Sequence, residues 1–533
     1  MLSYHTDTYF YNAKIFTAND DQPEASAFLV RNGRIEWVGD ERDISHWTGQ
    51  SVDVKGKRVL PGLIEAHMHP LLLAEKSTQI ACLPPFMHSI DDIVLAIRKK
   101  ATQVDKDEWI FGWGYDEGKL KEKRAPNRWD LDRAAPHIPV VLTRSCIHIV
   151  SVNSKVLQLA GIDRDTPNPP GGEIERDKQG EPTGILKENA KDLIAPYLPD
   201  TTLRQYAGLL AKSSEDFLAH GITAVTDLMA YQKPLDYYSI YTEAREKGFK
   251  QRAVLYYMWE EMKRASSVQE KSNREHPVHV GGIKVFSDGS VSGRTAWMEE
   301  PFINESDNHG IAMTTKEELR TAAKAAKQNN IQLVVHAMGE RAIEMVVDTF
   351  EDMPGWLEEG PSVRIEHASF LSKSQMARAN KANIGIVTQP IFFFSEIESY
   401  IDNIGLERTA RSYPVRSLLQ SRVLTALSSD APGNGWHDTV DPFAGIQAAV
   451  TRIAYDGTDI GQDERITVED AIKLYTSEAQ KITRIPYVGQ LTPGYYADFI
   501  ILDQDIFTVD GDDIHNIQVE ATYMNGSLVY KRV

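Results

Sequence analysis

His67 and His69 stand two residues apart in the run Leu60-Pro61-Gly62-Leu63-Ile64-Glu65-Ala66-His67-Met68-His69-Pro70. The two-residue period of a strand points both imidazoles to one face, where they could share a metal ion. Fifteen histidines among 533 residues would give roughly 0.4 such pairs by chance, so the pair gains meaning only from its setting at the end of an apolar strand. Three more residues close strand-like runs in the same way: His336 after Ile331–Val335, His367 after Val363–Glu366, and Asp430 after Leu424–Ser429. Alone, each has a bland reading, a hydrogen-bonded packing histidine or a turn-forming Asp ahead of Ala431-Pro432. Together, four imidazoles and a carboxylate at the ends of separate strands suit a metal centre, Zn²⁺ first, with Mn²⁺ or Fe²⁺ able to use the same donors.

Lys284, in Gly281-Gly282-Ile283-Lys284-Val285-Phe286, shares parity with the inward positions of its strand, where an unpaired ammonium is costly to bury and its pKa should fall. A neutral amine there can add carbon dioxide and become a carbamate able to bridge two metal ions. The other placements turn Lys284 outward or pair it with Asp288. Trp113 and Tyr115 in Gly112–Gly118 could line an apolar substrate pocket, as could Phe392–Phe394 after Gln389-Pro390, although aromatic runs are ordinarily core. Asp288, Arg294 and Gln389 complete the candidate substrate contacts. His148 could reach a substrate carbonyl, its bland alternative being a satisfied loop histidine. No Gly-x-Ser-x-Gly elbow, zincin helix or dinucleotide fingerprint competes.

These side chains need strands that end together. Between the termini, short β-rich runs alternate with helical patterns, which predicts an α/β chain of parallel βα units. Eight strands are read, with carboxyl ends near His67, Asp227, Tyr257, Phe286, His336, His367, Thr388 and Asp430, a distorted (β/α)8 barrel of the TIM type. Thr314–Glu317 reads as a capping box opening a helix, and Thr467–Asp470 opens another. The stretch 71–215 is too long for a loop and is expected to be a folded insertion after strand 1. Residues 1–60 and 486–533 both read as short strands, and pairing them into one composite β-sandwich domain buries their apolar faces. The barrel with its insertion is then 61–485.

Composition narrows the function. Hydrophobic residues make up 42% and charged residues 25%, which excludes disordered and coiled-coil classes. The net charge of −18 repels phosphate backbones and anionic lipid. The expected partners are a small amide-type molecule and, at most, a second copy of the chain; nucleic acid and membranes are not expected. Two cysteines, Cys82 and Cys146, make no disulfide framework, and Met1–Asp7 lacks the basic flank and apolar stretch of a secretory signal, so a cytoplasmic location is expected.

As an ordered set, Pro61–Pro70, Lys284–Ser290, His336-Ala-Met-Gly, Arg364-Ile-Glu366-His367-Ala and Ser429-Asp430-Ala-Pro resemble the amidohydrolase superfamily, in its amidohydrolase-3 branch. The resemblance extends through Gly221–Asp227, His148–Ser154, Gly171–Glu188 and Gly489–Asp498. It implies a metal centre held by His67, His69, Lys284 as a carbamate, His336, His367 and Asp430, with two Zn²⁺ ions. The implied reaction is hydrolysis of an amide-type C–N bond, of an N-substituted formamide or acyl amide, by metal-activated water. Asp430 is the implied proton acceptor and His148 the implied electrophile. Glu65 and Glu340 stand where the family commonly has Asp, which re-aims two carboxylates outside the ligand set. Two other functions fit the same scaffold: a mononuclear deaminase or ester hydrolase with Lys284 unmodified, and a ligand-binding protein without catalysis.

Overall fold

A computed structural model of the chain describes residues 7–44, 47–83, 87–105, 108–144, 149–263, 267–436 and 438–533. Eight parallel strands form one sheet in chain order: β1 (Leu63–Met68), β2 (Ile222–Ala230), β3 (Arg252–Met258), β4 (Val278–Phe286), β5 (Gln332–Ala337), β6 (Val363–His367), β7 (Ile384–Thr388) and β8 (Thr425–Leu427). They are buried almost throughout, the pattern of a parallel sheet covered on both faces. The sheet is nearly closed. Just beyond the ends of β8 and β1, the Asp430 N–H donates to the His67 carbonyl (2.9 Å) and the His69 N–H to the Ala431 carbonyl (2.8 Å). Gly282 on β4 is required by close approach, because a Cβ there would lie 2.5 Å from the Tyr256 ring.

The helix Lys316–Gln328 buries Leu319, Ala322, Ala323 and Ala326 at helical spacing. Its cap corrects the sequence reading by one residue: Thr315, not Thr314, accepts the N–H, from Glu318. Thr314 instead points its hydroxyl at the Glu318 carboxylate (3.4 Å). At Val468–Tyr475 the full capping box of Thr467 and Asp470 is present.

Strands from both ends of the chain share a sheet, with Phe499–Leu502 antiparallel to Arg58–Pro61. A second, four-stranded sheet comprises Thr8–Tyr11, Ala27–Arg31, Arg34–Gly39 and Gln50–Asp53. Phe10, Phe28, Val59, Phe499 and Ala521 join the two in one apolar cluster. Asn525 and Gly526, both at positive φ (49° and 69°), turn the hairpin between Val519–Met524 and Ser527–Lys531.

Residues 72–206 are a compact unit of their own, ending within the helix Leu203–Ala219 rather than at 215. Six strands form its sheet, in which Ile110–Tyr115 and Val140–Arg144 are parallel neighbours. Ile93 and Ile97 of the helix Ile90–Ala101 pack against Ile110, Val140 and Leu142. Among the described residues no helix is long and apolar enough to cross a membrane.

Candidate metal centre

His67, His69, Lys284, His336, His367 and Asp430 line one cavity of about 210 Å³. They come from β1, β4, β5, β6 and the segment after β8, and the closure between His67 and Asp430 brings the two ends of the sheet to the same point. Two of the six adopt left-handed backbone, His367 at φ 69° and Asp430 at φ 55°, a conformation uncommon outside glycine and a frequent mark of functional sites.

Hydrogen bonds set the histidine tautomers. His67 Nδ1 lies 2.6 Å from Glu366 Oε2, His336 Nε2 lies 2.9 Å from the Gly289 carbonyl, and His367 Nδ1 lies 2.8 Å from Gln389 Oε1. Each partner is an oxygen acceptor, so each of these nitrogens carries the proton and the other ring nitrogen holds a free lone pair. Burial keeps all three rings neutral: it pushes His67 and His367 well below the usual histidine range and His336 down to about 3, with Lys284 and neighbouring rings adding to the effect. Neutral imidazoles with one outward N–H are the form that binds metals.

The inward atoms converge without bonding one another. Asp430 Oδ1 lies 3.0 Å from His69 Nε2 and 3.4 Å from His67 Nε2, yet it is buried with no aligned hydrogen-bond donor. Since His67 spends its proton on Glu366, its Nε2 turns a lone pair towards a carboxylate oxygen. Two electron-rich atoms so close in a buried site call for a cation between them. One donor atom each from His67, His367 and Asp430 lies within 4.8 Å of the other two, and the buried Lys284 Nζ and His69 Nδ1 also have no hydrogen-bond partner. The donor set therefore fits a metal ion.

Charge outside the ring of donors is balanced in the barrel interior. The buried Glu366 carboxylate, which burial pushes up, has Oε1 2.7 Å from Arg364 Nε, and Arg364 donates to the Ala66 carbonyl (2.8 Å). Glu65 Oε2 accepts from the Ser429 N–H (2.9 Å) and hydroxyl (3.0 Å), tying the segment before Asp430 to β1; burial pushes its carboxyl up to about 8. Glu340 accepts from the Glu299 N–H, outside the cavity.

The candidate substrate contacts are redistributed. Gln389 is fully buried, holds His367 and donates to Ser428 (3.0 Å), so it orients a histidine rather than a substrate. Asp288 accepts the N–H groups of Trp297, Met338 and Gly339 at 2.8–3.0 Å, which binds the loop after β4 to the end of β5. Lys284 faces the cavity and not Asp288. Arg294 is held by Asn403 (2.7 Å) and Glu305, away from the cavity lining. Tyr115 is enclosed in the core of the 72–206 unit with its hydroxyl 2.9 Å from Ser151, which removes it as a pocket wall. Trp113, in the same unit, stacks against Lys76 Nζ 4.1 Å from its ring centroid. His148 lies outside the described residues. Of Phe392–Phe394 only Phe392 lines the cavity. Arg364, Glu366, Phe286 and Met338 lie inside the quoted motifs with no role given to them by the sequence, and Tyr400 and Glu396 lie outside those motifs; the one available signal is the charged pair Arg364 and Glu366 inside an apolar strand.

If Gln389 fixes the tautomer of His367, Gln389→Leu is expected to weaken metal affinity about 10–100-fold while the fold survives. Competition with a chromogenic chelator measures this, and unchanged affinity would assign Gln389 to packing alone.

A nearly closed parallel barrel with buried, neutral imidazoles and a carboxylate gathered at one mouth defines a metal-dependent hydrolase scaffold. The chain belongs to the amidohydrolase family, whose profile matches residues 50–530. It is 30% identical to "Putative amidohydrolase YtcJ" of Bacillus subtilis (strain 168), covering 97% of this chain and 98% of that one. It is 29% identical to "N-substituted formamide deformylase" of Arthrobacter pascens, over 99% and 98% of the two chains. Among solved structures, an uncharacterized metal-dependent hydrolase from Pyrococcus furiosus superposes with a TM-score of 0.76 at 26% identity, over 94% of this chain and all of that one. The protein is thus a metal-dependent hydrolase of the amidohydrolase family.

Proposed function

We propose that the protein hydrolyses the amide-type C–N bond of a small organic molecule, an N-substituted formamide or acyl amide. The observation that carries this reading is the convergence of His67 Nε2, His69 Nε2 and Asp430 Oδ1 on one buried point. The full-length likeness to an N-substituted formamide deformylase supports the substrate class. His67, His69, Lys284 as a carbamate, His336, His367 and Asp430 would hold two Zn²⁺ ions, with Mn²⁺ or Fe²⁺ as substitutes. Such ions, when bound, polarise a carbonyl and lower the pKa of water to about 7. Asp430 takes the proton of the attacking water as the C–O bond forms, then returns it to the nitrogen as the C–N bond breaks. Glu366, backed by Arg364, holds His67 in its required tautomer, and Gln389 does the same for His367. His148 is the proposed electrophile towards the carbonyl oxygen. The charge of −18 and the two cysteines support a small-molecule substrate and a reducing, cytoplasmic setting.

A second reading has one specific support: the compact His67, His367 and Asp430 group is a set for a single ion. In that reading Lys284 is unmodified and the protein is a mononuclear deaminase or ester hydrolase on the same barrel. Metal-replete protein, assayed against N-substituted formamides, acyl amides, esters and amines, separates the two. The expected result is formate or acid released in step with free amine, lost on exhaustive chelation and restored by Zn²⁺, with two ions per chain. Ester cleavage or ammonia release with one ion per chain establishes the second reading instead.

A further inference from the structure

The end of the barrel opposite the metal-binding side chains carries two guanidinium groups and one carboxylate that hold one another. Arg274 precedes β4, Glu359 precedes β6, and Arg484 caps the carboxyl end of the helix Ser477–Thr483. Three hydrogen-bonded links close them into a ring. Arg274 Nε donates to the Arg484 carbonyl (2.9 Å), Arg484 Nε donates to the Glu359 carbonyl (2.8 Å), and both terminal nitrogens of Arg274 donate to Glu359 Oε2 at 3.0 Å. Backbone conformation fixes the arrangement. Arg484 sits at φ 61°, uncommon for a residue with a side chain, and Gly360, at φ 70°, passes so close that a Cβ there would stand 2.8 Å from Arg484 Cγ.

The ring leaves positive charge and donors over. Arg484 is only 8% exposed, so its guanidinium has given up most of its water, yet among the described residues its Nε alone meets an acceptor. Glu359 commits Oε2 to Arg274, and its side chain is 72% exposed. The two terminal nitrogens of Arg484 are not among the fully sealed polar atoms without partners, so small solutes reach them. Burial pulls the Arg484 pKa down to about 10 and the like charge of Arg274 adds to that pull, while Tyr256 and Glu359 oppose it only in part. The same field extends to the start of β4: burial, with Arg274, Arg484 and His276 behind it, brings the enclosed His279 down to about 4.

A guanidinium removed from water without a carboxylate of its own is costly, and a bound anion relieves that cost. Guanidinium groups meet oxyanions with paired N–H donors, the geometry that suits phosphoryl groups and carboxylates. The chain as a whole carries −18, but salt screens charges beyond about 8 Å at physiological ionic strength, so the nearby pair of arginines governs an anion that reaches them.

We propose that Arg484 and Arg274 form an oxyanion-binding site at the amino-terminal end of the barrel, separate from the metal centre, that takes the phosphoryl group or carboxylate of a small molecule. The bound anion joins two guanidiniums that otherwise repel each other and ties the segment before β4 to the end of the helix Ser477–Thr483. The site does not depend on the amide reading, since it uses neither the cavity nor the reaction.

Calorimetric titration of the metal-replete protein with inorganic phosphate, and separately with acetate, at constant ionic strength in chloride tests it. Saturable phosphate binding is expected in the wild type, weakened about tenfold or more in Arg484→Gln, the loss of hydrogen bonds to a charged group. Phosphate held at the metal centre is common to both proteins and does not change with Arg484. Glu359→Gln, an exposed substitution that removes the carboxylate beside the two guanidiniums, is expected to act in the opposite direction and tighten phosphate binding several-fold. Arg484-dependent binding tighter for phosphate than for acetate assigns the site to phosphoryl groups, and the reverse order assigns it to carboxylates. Absence of saturable binding of either anion, or affinities that neither Arg484→Gln nor Glu359→Gln moves, overturns the proposal. Should Arg484→Gln fail to fold, Glu359→Gln decides alone, and unchanged binding in that variant counts against the site.

Discussion

Replacing Asp430 by Asn is expected to lower kcat/KM by about 10²–10⁴-fold, the range of a lost general base, while elemental analysis still finds substantial metal. The substitution is gentle on structure. Asp430 sits at φ 55°, in the left-handed region that Asn tolerates about as well as Asp, and its backbone keeps the N–H bond to the His67 carbonyl (2.9 Å) and the bond from the Gly433 N–H (2.6 Å). The Asn side chain retains an oxygen for coordination and loses the capacity to take and return a proton. Turnover and metal content therefore separate: full turnover in the variant refutes the base assignment, and joint loss of metal and turnover reduces Asp430 to a ligand.

Much of this site is readable in the sequence because barrel strands place their last residues together. His67, His69 and His336 follow from strand parity, and the apolar runs before them fix the strands. The parity rule fails at β6. Glu366 and His367 are neighbours and should point to opposite faces, yet Glu366 bonds His67 while His367 lines the cavity. Positive φ at His367 and Ala368 (69° and 47°) turns the chain at the strand end, and no local motif announces that turn. The same limit applies to β8, which ends at Leu427. Asp430 reaches the cavity through its bond to the His67 carbonyl, a contact 363 positions apart in the chain that only the closed barrel creates. Gln389, Asp288 and Arg294 were legible as polar residues near strand ends and not as what they hold. A polar side chain there can face substrate, a histidine or a loop amide, and the choice depends on which backbone groups the loops leave without partners.

Lys284→Ala is expected to cost about 10²-fold or more in turnover through a lost metal ligand, and millimolar acetate or propionate to restore part of it. Lys284 Nζ is buried, has no hydrogen-bond partner, and lies 5.1 Å from the Phe286 ring centroid. Burial pulls its pKa from 10.5 down to about 8, against the opposing pull of Glu366 and Asp430. A buried ammonium without a partner is costly. Near neutral pH the amine thus has a sizeable neutral fraction, the form whose lone pair attacks carbon dioxide; a nitrogen–carbon bond forms and one proton leaves. A free carboxylate entering the space vacated by the side chain supplies the same anionic oxygens. The pH dependence has a definite sign in two measurements. Reactivation of stripped wild-type protein by metal at a fixed concentration of dissolved carbon dioxide should accelerate as pH rises towards about 8 and level off above it, because the neutral amine is the reactant. In metal-free protein the folded chain binds fewer protons at Lys284 than the unfolded chain between about 8 and 10.5, so this group makes stability rise with pH across that window. Lys284→Met should remove that rise and raise the melting temperature of the metal-free protein at pH 7. Full metal content and undiminished turnover in Lys284→Ala would leave the lysine no place among the ligands and favour a single ion held by His67, His367 and Asp430.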